Sequence, residues 1–526
     1  MQDRTTDRLD SWKVIAEYLG RYVRTVIRWE KERGLPVHRI PGERGHGVFA
    51  LRAEVDAWLH GDAQGAMPPR IAILPLANDF QTEQDYVADG ISENVIRSLS
   101  RIPSLRVMAW STVGRFRGGA ADPVKVGREL SLDAILSGRV AQRNGFWQVH
   151  VELVDPEDGA QLWGKEYTKP AIDLQGLPHQ IASDIVSGME LRVGKVDAAL
   201  LKPKRATNPQ AYDLLLQGRY YFNRFTAEAF AKSLECFEKA IELDPKYAEA
   251  YAELAQCCVF MAVGYGDNPP RELLAKADAA ARKAVALDES LGEAHCALAV
   301  ASTYRGWDWA MVEKEFKLAI ELSPSSSLAH LGYSTLLSAL GRTEESLAEG
   351  RWCAEVDPLA PVGASDLAFA MALAGRNAEA LKLVEQTIER FPSVVYLNYI
   401  LGVVHERAGR YAQAIACIEK CVASNLMHTI PLGVLGHTYA ITGRNDKAAE
   451  LLARLEDLEK TRPAAHFTKA LIYAGLCDMQ AALQCLEKAY EDRSPWLYML
   501  NWYPWLESLR GEPRFQDLVR RVGLPS

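Results

Sequence analysis

A chain of 526 residues is too long for one hydrophobic core, and its 48% hydrophobic and 24% charged residues exclude a largely disordered protein. The net charge of −8 would argue against nucleic acid if it were evenly spread, but residues 1–60 hold 11 Lys/Arg against 9 Asp/Glu, and Arg21–Arg52 hold 8 against 3. No apolar run approaches the roughly 18–20 residues that span a bilayer, and nine cysteines without a C-x-x-C pair fit a reducing cytoplasm.

In chain order, Met1–Asp10 is polar and carries no apolar signal-peptide core. Ser11 is a natural N-cap for a helix with Trp12, Ile15, Ala16 and Leu19 on one face, ended by Gly20. A second helix, about Val23–Arg33, turns Val26, Trp29 and Glu30 toward the first and leaves Arg21, Arg24, Thr25, Arg28 and Lys31 facing outward. Gly34-Leu35-Pro36 stops it. VHRI and VFAL then read as two short strands flanking the basic hairpin PGERGHG, and Leu51–Leu59 as a last helix that packs Val55 and Trp58 on a core shared with Trp12 and Trp29.

The run R-T-V-I-R-W-E at Arg24–Glu30 and the G-L-P at Gly34–Pro36 resemble the winged helix-turn-helix of the MerR and phage-excisionase superfamily, although Tyr22 stands where a small capping residue is usual. The resemblance implies that the second helix enters the major groove of double-stranded DNA and the hairpin lies along the backbone or minor groove. Residues at the start of such a helix reach base edges, which selects Arg21, Arg24 and Thr25. Arg28, Lys31, Arg39, Arg44 and His46 are expected to hold phosphates, giving affinity and register without sequence choice.

After a linker at residues 61–69 (GDAQGAMPP), the rhythm changes. RIAILPL and SLRVMAW read as strands, VADGISENVIRSLSRI as an amphipathic helix, and PVKVGRELSLDAILSGRV as a helix running into a strand. WQVHVELVD, a DPEDG turn and QLWGKEY form a hairpin, and a helix over Leu177–Val193 closes an α/β module within residues 70–200. The same segments are similar to the TolB-like amino-terminal domain found between DNA-binding modules and tetratricopeptide repeats. Asp89-Gly90, at the expected helix start, offers an anion site only if it is more than an ordinary cap.

Residues 206–526 are helical and repetitive. Gly341, Gly375, Gly409 and Gly443 recur at one interval, each followed by Arg; Pro324, Pro358 and Pro392, and Ala319, Cys353, Thr387 and Cys421, keep the same interval. That interval is the period of the tetratricopeptide repeat, which SLECFEKAIELDP also resembles. About eight helix pairs, one stretched by VGYGDNPPRE, are expected to stack into a superhelix with a groove for a protein or peptide, capped by the aromatic segment SPWLYMLNWYPWLESL.

The fold class is therefore multidomain and mainly α: winged helix-turn-helix (1–60), small α/β domain (70–200), repeat superhelix (206–526). No cofactor, metal or catalytic set is expected. Gly159–Lys165 has phosphate-loop spacing, but Glu166 replaces the Ser or Thr that binds magnesium, and the segment reads as a hairpin. Gly42, Gly45 and Gly47 belong to the wing. Cys417 and Cys421 share a helix face, yet Cys421 falls in a small-residue register, which favours packing. These features point to a cytoplasmic DNA-binding regulator, binding as a homodimer to a two-fold site. The alternatives are a repeat scaffold tethered to DNA and a signalling enzyme of the cyclase-associated kind.

Overall fold

The computed structural model describes residues 8–19, 23–33, 35–39, 47–52, 54–55, 68–78, 85–117, 121–170, 174–188, 208–224, 226–265, 270–424, 429–459 and 465–525. They fall into two compact units, Met1–Arg205 and Ala206–Ser526.

The first unit opens with β1 (Arg8–Asp10), α1 (Trp12–Tyr18), α2 (Val23–Arg33), β2 (His38–Arg39) and β3 (Val48–Leu51). The strands form an antiparallel sheet in the order β1-β3-β2, with Leu9 opposite Ala50 and His38 opposite Phe49. Strand β1 lies outside the expected pattern because its single apolar side chain, Leu9, gives no alternation to detect. Leu9 joins Ile15, Ala16, Val26, Trp29, Val48 and Val55 in one core. Trp12, expected in that core, is half-buried, with the Arg39 guanidinium 5.6 Å from its ring centre. Leu51 belongs to β3 and not to the following helix, and Trp58 lies outside the described residues.

A second sheet follows: β4 (Arg70–Ile73), β5 (Ala77–Asn78), β6 (Arg106–Val107), β7 (Ala134–Arg143), β8 (Phe146–Val154) and β9 (Gln161–Pro170). Its order is β6-β4-β7-β8-β9, with β5 also pairing β7; β4 runs parallel to β6 and β7, and β7-β8-β9 is an antiparallel meander. The helices are α3 (Asp85–Leu99), α4 (Trp110–Val113), α5 (Pro123–Glu129) and α6 (Leu177–Gly188). Helix α3 begins at Asp85, so Asp89 and Gly90 lie inside it and offer no free backbone N–H groups to an anion. Nor is α3 half-exposed, as its amphipathic pattern suggests: it packs against α6 as well as β4, and even Asp89, Glu93 and Asn94 are buried. Burial pushes the Asp89 carboxyl up to about 6, although Arg117 lies 2.6 Å away. Gln161–Pro170 is a strand throughout, which removes the phosphate-loop reading.

In the second unit, eight helix pairs follow among the described residues. They are α7 (Pro209–Phe222) with α8 (Ala227–Leu243), α9 (Ala248–Phe260) with α10 (Pro270–Leu287), α11 (Gly292–Arg305) with α12 (Trp309–Leu322), and α13 (Ser327–Ala339) with α14 (Thr343–Val356). Next come α15 (Pro361–Leu373) with α16 (Asn377–Arg390), α17 (Tyr396–Arg407) with α18 (Tyr411–Ala423), α19 (Ile430–Ile441) with α20 (Asn445–Glu459), and α21 (His466–Gly475) with α22 (Met479–Glu491). Two 3-10 turns, Pro495–Met499 and Pro504–Leu509, and α23 (Pro513–Arg521) complete the chain.

The glycine register now has a physical reason. Gly341, Gly375, Gly409 and Gly443 have φ of 75, 77, 73 and 76°, the left-handed region. In the first of these turns, Gly341 N–H donates to Ser338 O and Arg342 N–H to Leu337 O, which closes the helix and launches the next. Trp307 and Cys477 hold the same register with φ of 58 and 60° and no glycine. A Cβ on Gly375 would meet nothing within 4 Å, so Gly375→Ala tests the backbone alone. It should cost about 1–2 kcal/mol in urea unfolding; an unchanged midpoint would mean the turn relaxes at no cost.

The small-residue register is likewise packing. A Cβ on Gly363 of α15 would come within 3.1 Å of Cys353 Sγ, and Cys421 is buried with its thiol pushed up to about 11. Among the described residues no group of three or more His, Cys, Asp or Glu is placed to hold a metal ion, and no helix is long and apolar enough to cross a membrane.

Candidate functional site

The amino-terminal part positions the expected DNA-contacting residues through α2. Val26 and Trp29 are buried against α1 and the small sheet, which fixes the roll of the helix. Arg24, in the first turn, is exposed on the other side. Arg28, one turn further, is half-buried, and its guanidinium lies 3.3 Å from Glu157 Oε2 in the β8–β9 turn. That turn is itself held by Arg128, whose side chain donates to the carbonyls of Pro156 and Glu157. Arg39 on β2 pairs with Glu30 of α2 at 2.6 Å.

Of the eight expected contacts, Arg24 is thus outward and exposed, while Arg28 and Arg39 are engaged with carboxylates of the chain. Thr25 and Lys31 lie on α2, with side chains outside the described residues, and Arg21, Arg44 and His46 lie outside them altogether. The sequence pattern missed Arg8, which β1 places beside this part, its guanidinium 3.8 Å from the Phe49 ring centre and paired with Asp10.

The repeat unit differs from expectation at its carboxyl end. The aromatic segment does more than cap the last pair: it runs back across the first helices of several earlier pairs. Tyr498 meets Tyr304 of α11, Trp502 and Trp505 meet Phe369 of α15, and Tyr503 meets Phe467 of α21. The Tyr503 hydroxyl lies 3.5 Å from that of Tyr399 on α17, Trp505 Nε1–H donates to Glu406 at 2.9 Å, and Trp309 Nε1–H donates to Val522 O. The face expected to receive a foreign peptide is here covered by the chain's own tail. Beneath it remains a cavity of about 460 Å³ containing one charged side chain, Asp366.

Residues 68–176 match the HilA/YgeH-like transcriptional regulator, second domain, the region likened above to a TolB-like domain. Residues 361–386 and 374–423 match tetratricopeptide repeats. The chain is 27% identical over 237 residues to the "Putative adenylate cyclase 3" of Rhizobium meliloti (strain 1021), covering 45% of this chain and 40% of that protein. It is 26% identical over 191 residues to anaphase-promoting complex subunit 3 of Schizosaccharomyces pombe (strain 972), covering 35% and 27%. The chain therefore spans less than half the length of either relative. Among solved structures, Pseudomonas aeruginosa PilF is similar at 17% identity with a TM-score of 0.32, covering 44% of this chain and 96% of that one. Yeast Tom70 is similar at 14% identity with a TM-score of 0.37, covering 60% and 68%. The matched spans give a transcriptional-regulator-like domain followed by tetratricopeptide repeats, a protein-interaction region.

Proposed function

We propose that this protein is a cytoplasmic transcription regulator that acts by binding and not by catalysis. A winged helix-turn-helix of the MerR/excisionase kind within residues 1–60 grips double-stranded DNA as a homodimer, and the repeats take a partner protein. The observation that carries this reading is Arg24: exposed, cationic, in the first turn of a helix whose other side is locked into a core. A rigid helix presenting such a residue from its amino-terminal turn has the geometry that reaches base edges in a major groove. The regulator-like domain that follows supports the same reading. Since the tail covers one face of the repeats, the partner would be met on the surfaces it leaves open.

The test is a site selected from random DNA with the full chain, followed by titration of single-base variants. Arg24→Ala should leave the fold intact and lose about 1–3 kcal/mol of discrimination at one base pair. If the variant bound the selected site and its single-base variants as wild type does, Arg24 would not read DNA.

A further inference from the structure

The cavity under the tail is bounded by α11, α13, α15 and α17 on one side and by residues of the 495–503 turn on the other. Tyr304, Phe369, Tyr396, Tyr498, Trp502 and Tyr503 are among its lining residues, so aromatic side chains make up much of its lining. At about 460 Å³ it lies in the range of small-molecule sites.

Its polar groups are nearly all spent on the protein itself. Ser334 Oγ donates to Ser346 O, Thr335 Oγ1 to Leu331 O, Ser365 Oγ to Val362 O and Ser424 Oγ to Cys421 O. Asp366 differs: among the described residues it has no hydrogen-bond or ion-pair partner, and no Lys, Arg or His lines the cavity with it. Asp366 is half-buried and lines the cavity. A half-buried carboxylate without a partner is costly unless something supplies the opposite charge, and aromatic rings favour cations over their faces.

We propose that this cavity binds a small organic cation, an amine or quaternary ammonium, with Asp366 as its counter-ion and the tail aromatics as its cage. The site lies wholly in the repeat unit and does not depend on the DNA-binding reading. Burial pushes the Asp366 carboxyl up to about 7, so cation binding takes up the ionised form and affinity should rise from pH 6 to pH 8. The titratable groups that share the cavity wall or lie beside Asp366 are Tyr304, Tyr396, Tyr498, Tyr503 and Cys353; burial raises Tyr304, Tyr498, Tyr503 and Cys353, so none of these four ionises in that window.

Calorimetry and tryptophan fluorescence on the full chain test the proposal with two matched pairs: phenethylammonium against 2-phenylethanol, and choline against 3,3-dimethyl-1-butanol. At least one cation should bind, about tenfold or more tighter than its neutral partner. Asp366→Asn should weaken that cation roughly ten- to a hundredfold and abolish the pH dependence. The same variant should unfold at a higher temperature than wild type above pH 7: a raised carboxyl pKa means the ionised form destabilises the empty fold there, and the amide removes that charge. Trp502→Phe, which keeps a ring, should bind more tightly than Trp502→Ala. Equal binding of cation and neutral partner, no binding of either cation, or an unchanged affinity in a folded Asp366→Asn protein would each overturn the assignment.

Discussion

Replacing Arg219 by alanine should cost about 3–5 kcal/mol, because it strands a buried carboxylate. Arg219 on α7 is only 3% exposed; its Nε–H donates to Glu253 at 2.7 Å and its Nη2 reaches Glu249 at 3.3 Å, both on α9. The pair ties the first repeat to the second. Removing only the cation leaves Glu253, itself buried, with its desolvation penalty and without its main compensation. Because repeat stability is close to a sum of neighbour terms, the damage should be local: hydrogen exchange should show α7 to α10 losing protection while α15 to α22 keep theirs. The control is the double variant Arg219→Met with Glu253→Leu, which removes both charges and should recover most of the loss. If single and double variants were equally destabilised, packing of the arginine stem would be the source and not the charge.

The repeat unit was the most legible part of the chain because its period is enforced by sterics that leave few choices. A left-handed residue must close each first helix, and glycine adopts that conformation without strain, so Gly341 to Gly443 mark the boundaries in the sequence itself. Trp307 and Cys477 keep the conformation without the glycine and are invisible to that ruler. Trp307 is buried, with Tyr490 packed on it and the Arg493 guanidinium 4.5 Å from its ring centre. Strand β8 was legible for a similar reason, since its alternate residues face one buried side. The burial of helix α3 was not, because its polar residues are covered by a second layer that local periodicity does not register.

The candidate sites divide along the same line. Charge pattern singled out the basic island, and the α2 pattern placed Arg24 on its outer side. It could not say that Arg39 pairs with Glu30 or that Arg28 meets Glu157, since the second of these partners lies more than a hundred residues away. The cavity is assembled from side chains as far apart as Tyr304 and Tyr503, so no window of sequence contains it. One signal was present: Asp366 is a lone charge in the apolar run VGASDLAFAMALAG, which a solvent-facing carboxylate on a half-exposed helix explains poorly.

Trp505→Ala should be the second most damaging change, costing about 3–5 kcal/mol, and its consequences should spread further than those of Arg219→Ala. Trp505 is 2% exposed, packs edge-on to Tyr503 at 4.9 Å and gives Glu406 its indole N–H. Alanine there opens a large void and also leaves a buried carboxylate oxygen without its donor. Most contacts in a repeat array join neighbours, but this one joins residues far apart in the chain, and the tail as a whole ties α11, α15, α17 and α21 to one strap. Such ties make distant repeats unfold together. The variant should therefore show a lower midpoint and also a broader urea transition, with fluorescence and circular dichroism no longer coincident. Trp505→Phe restores the apolar contact but not the donor, so it should recover the sharpness of the transition more fully than its midpoint. A narrow, wild-type-like transition for Trp505→Ala would mean that the tail rides on the repeats without coupling them, and the face beneath it would then be available to a competing peptide at little cost.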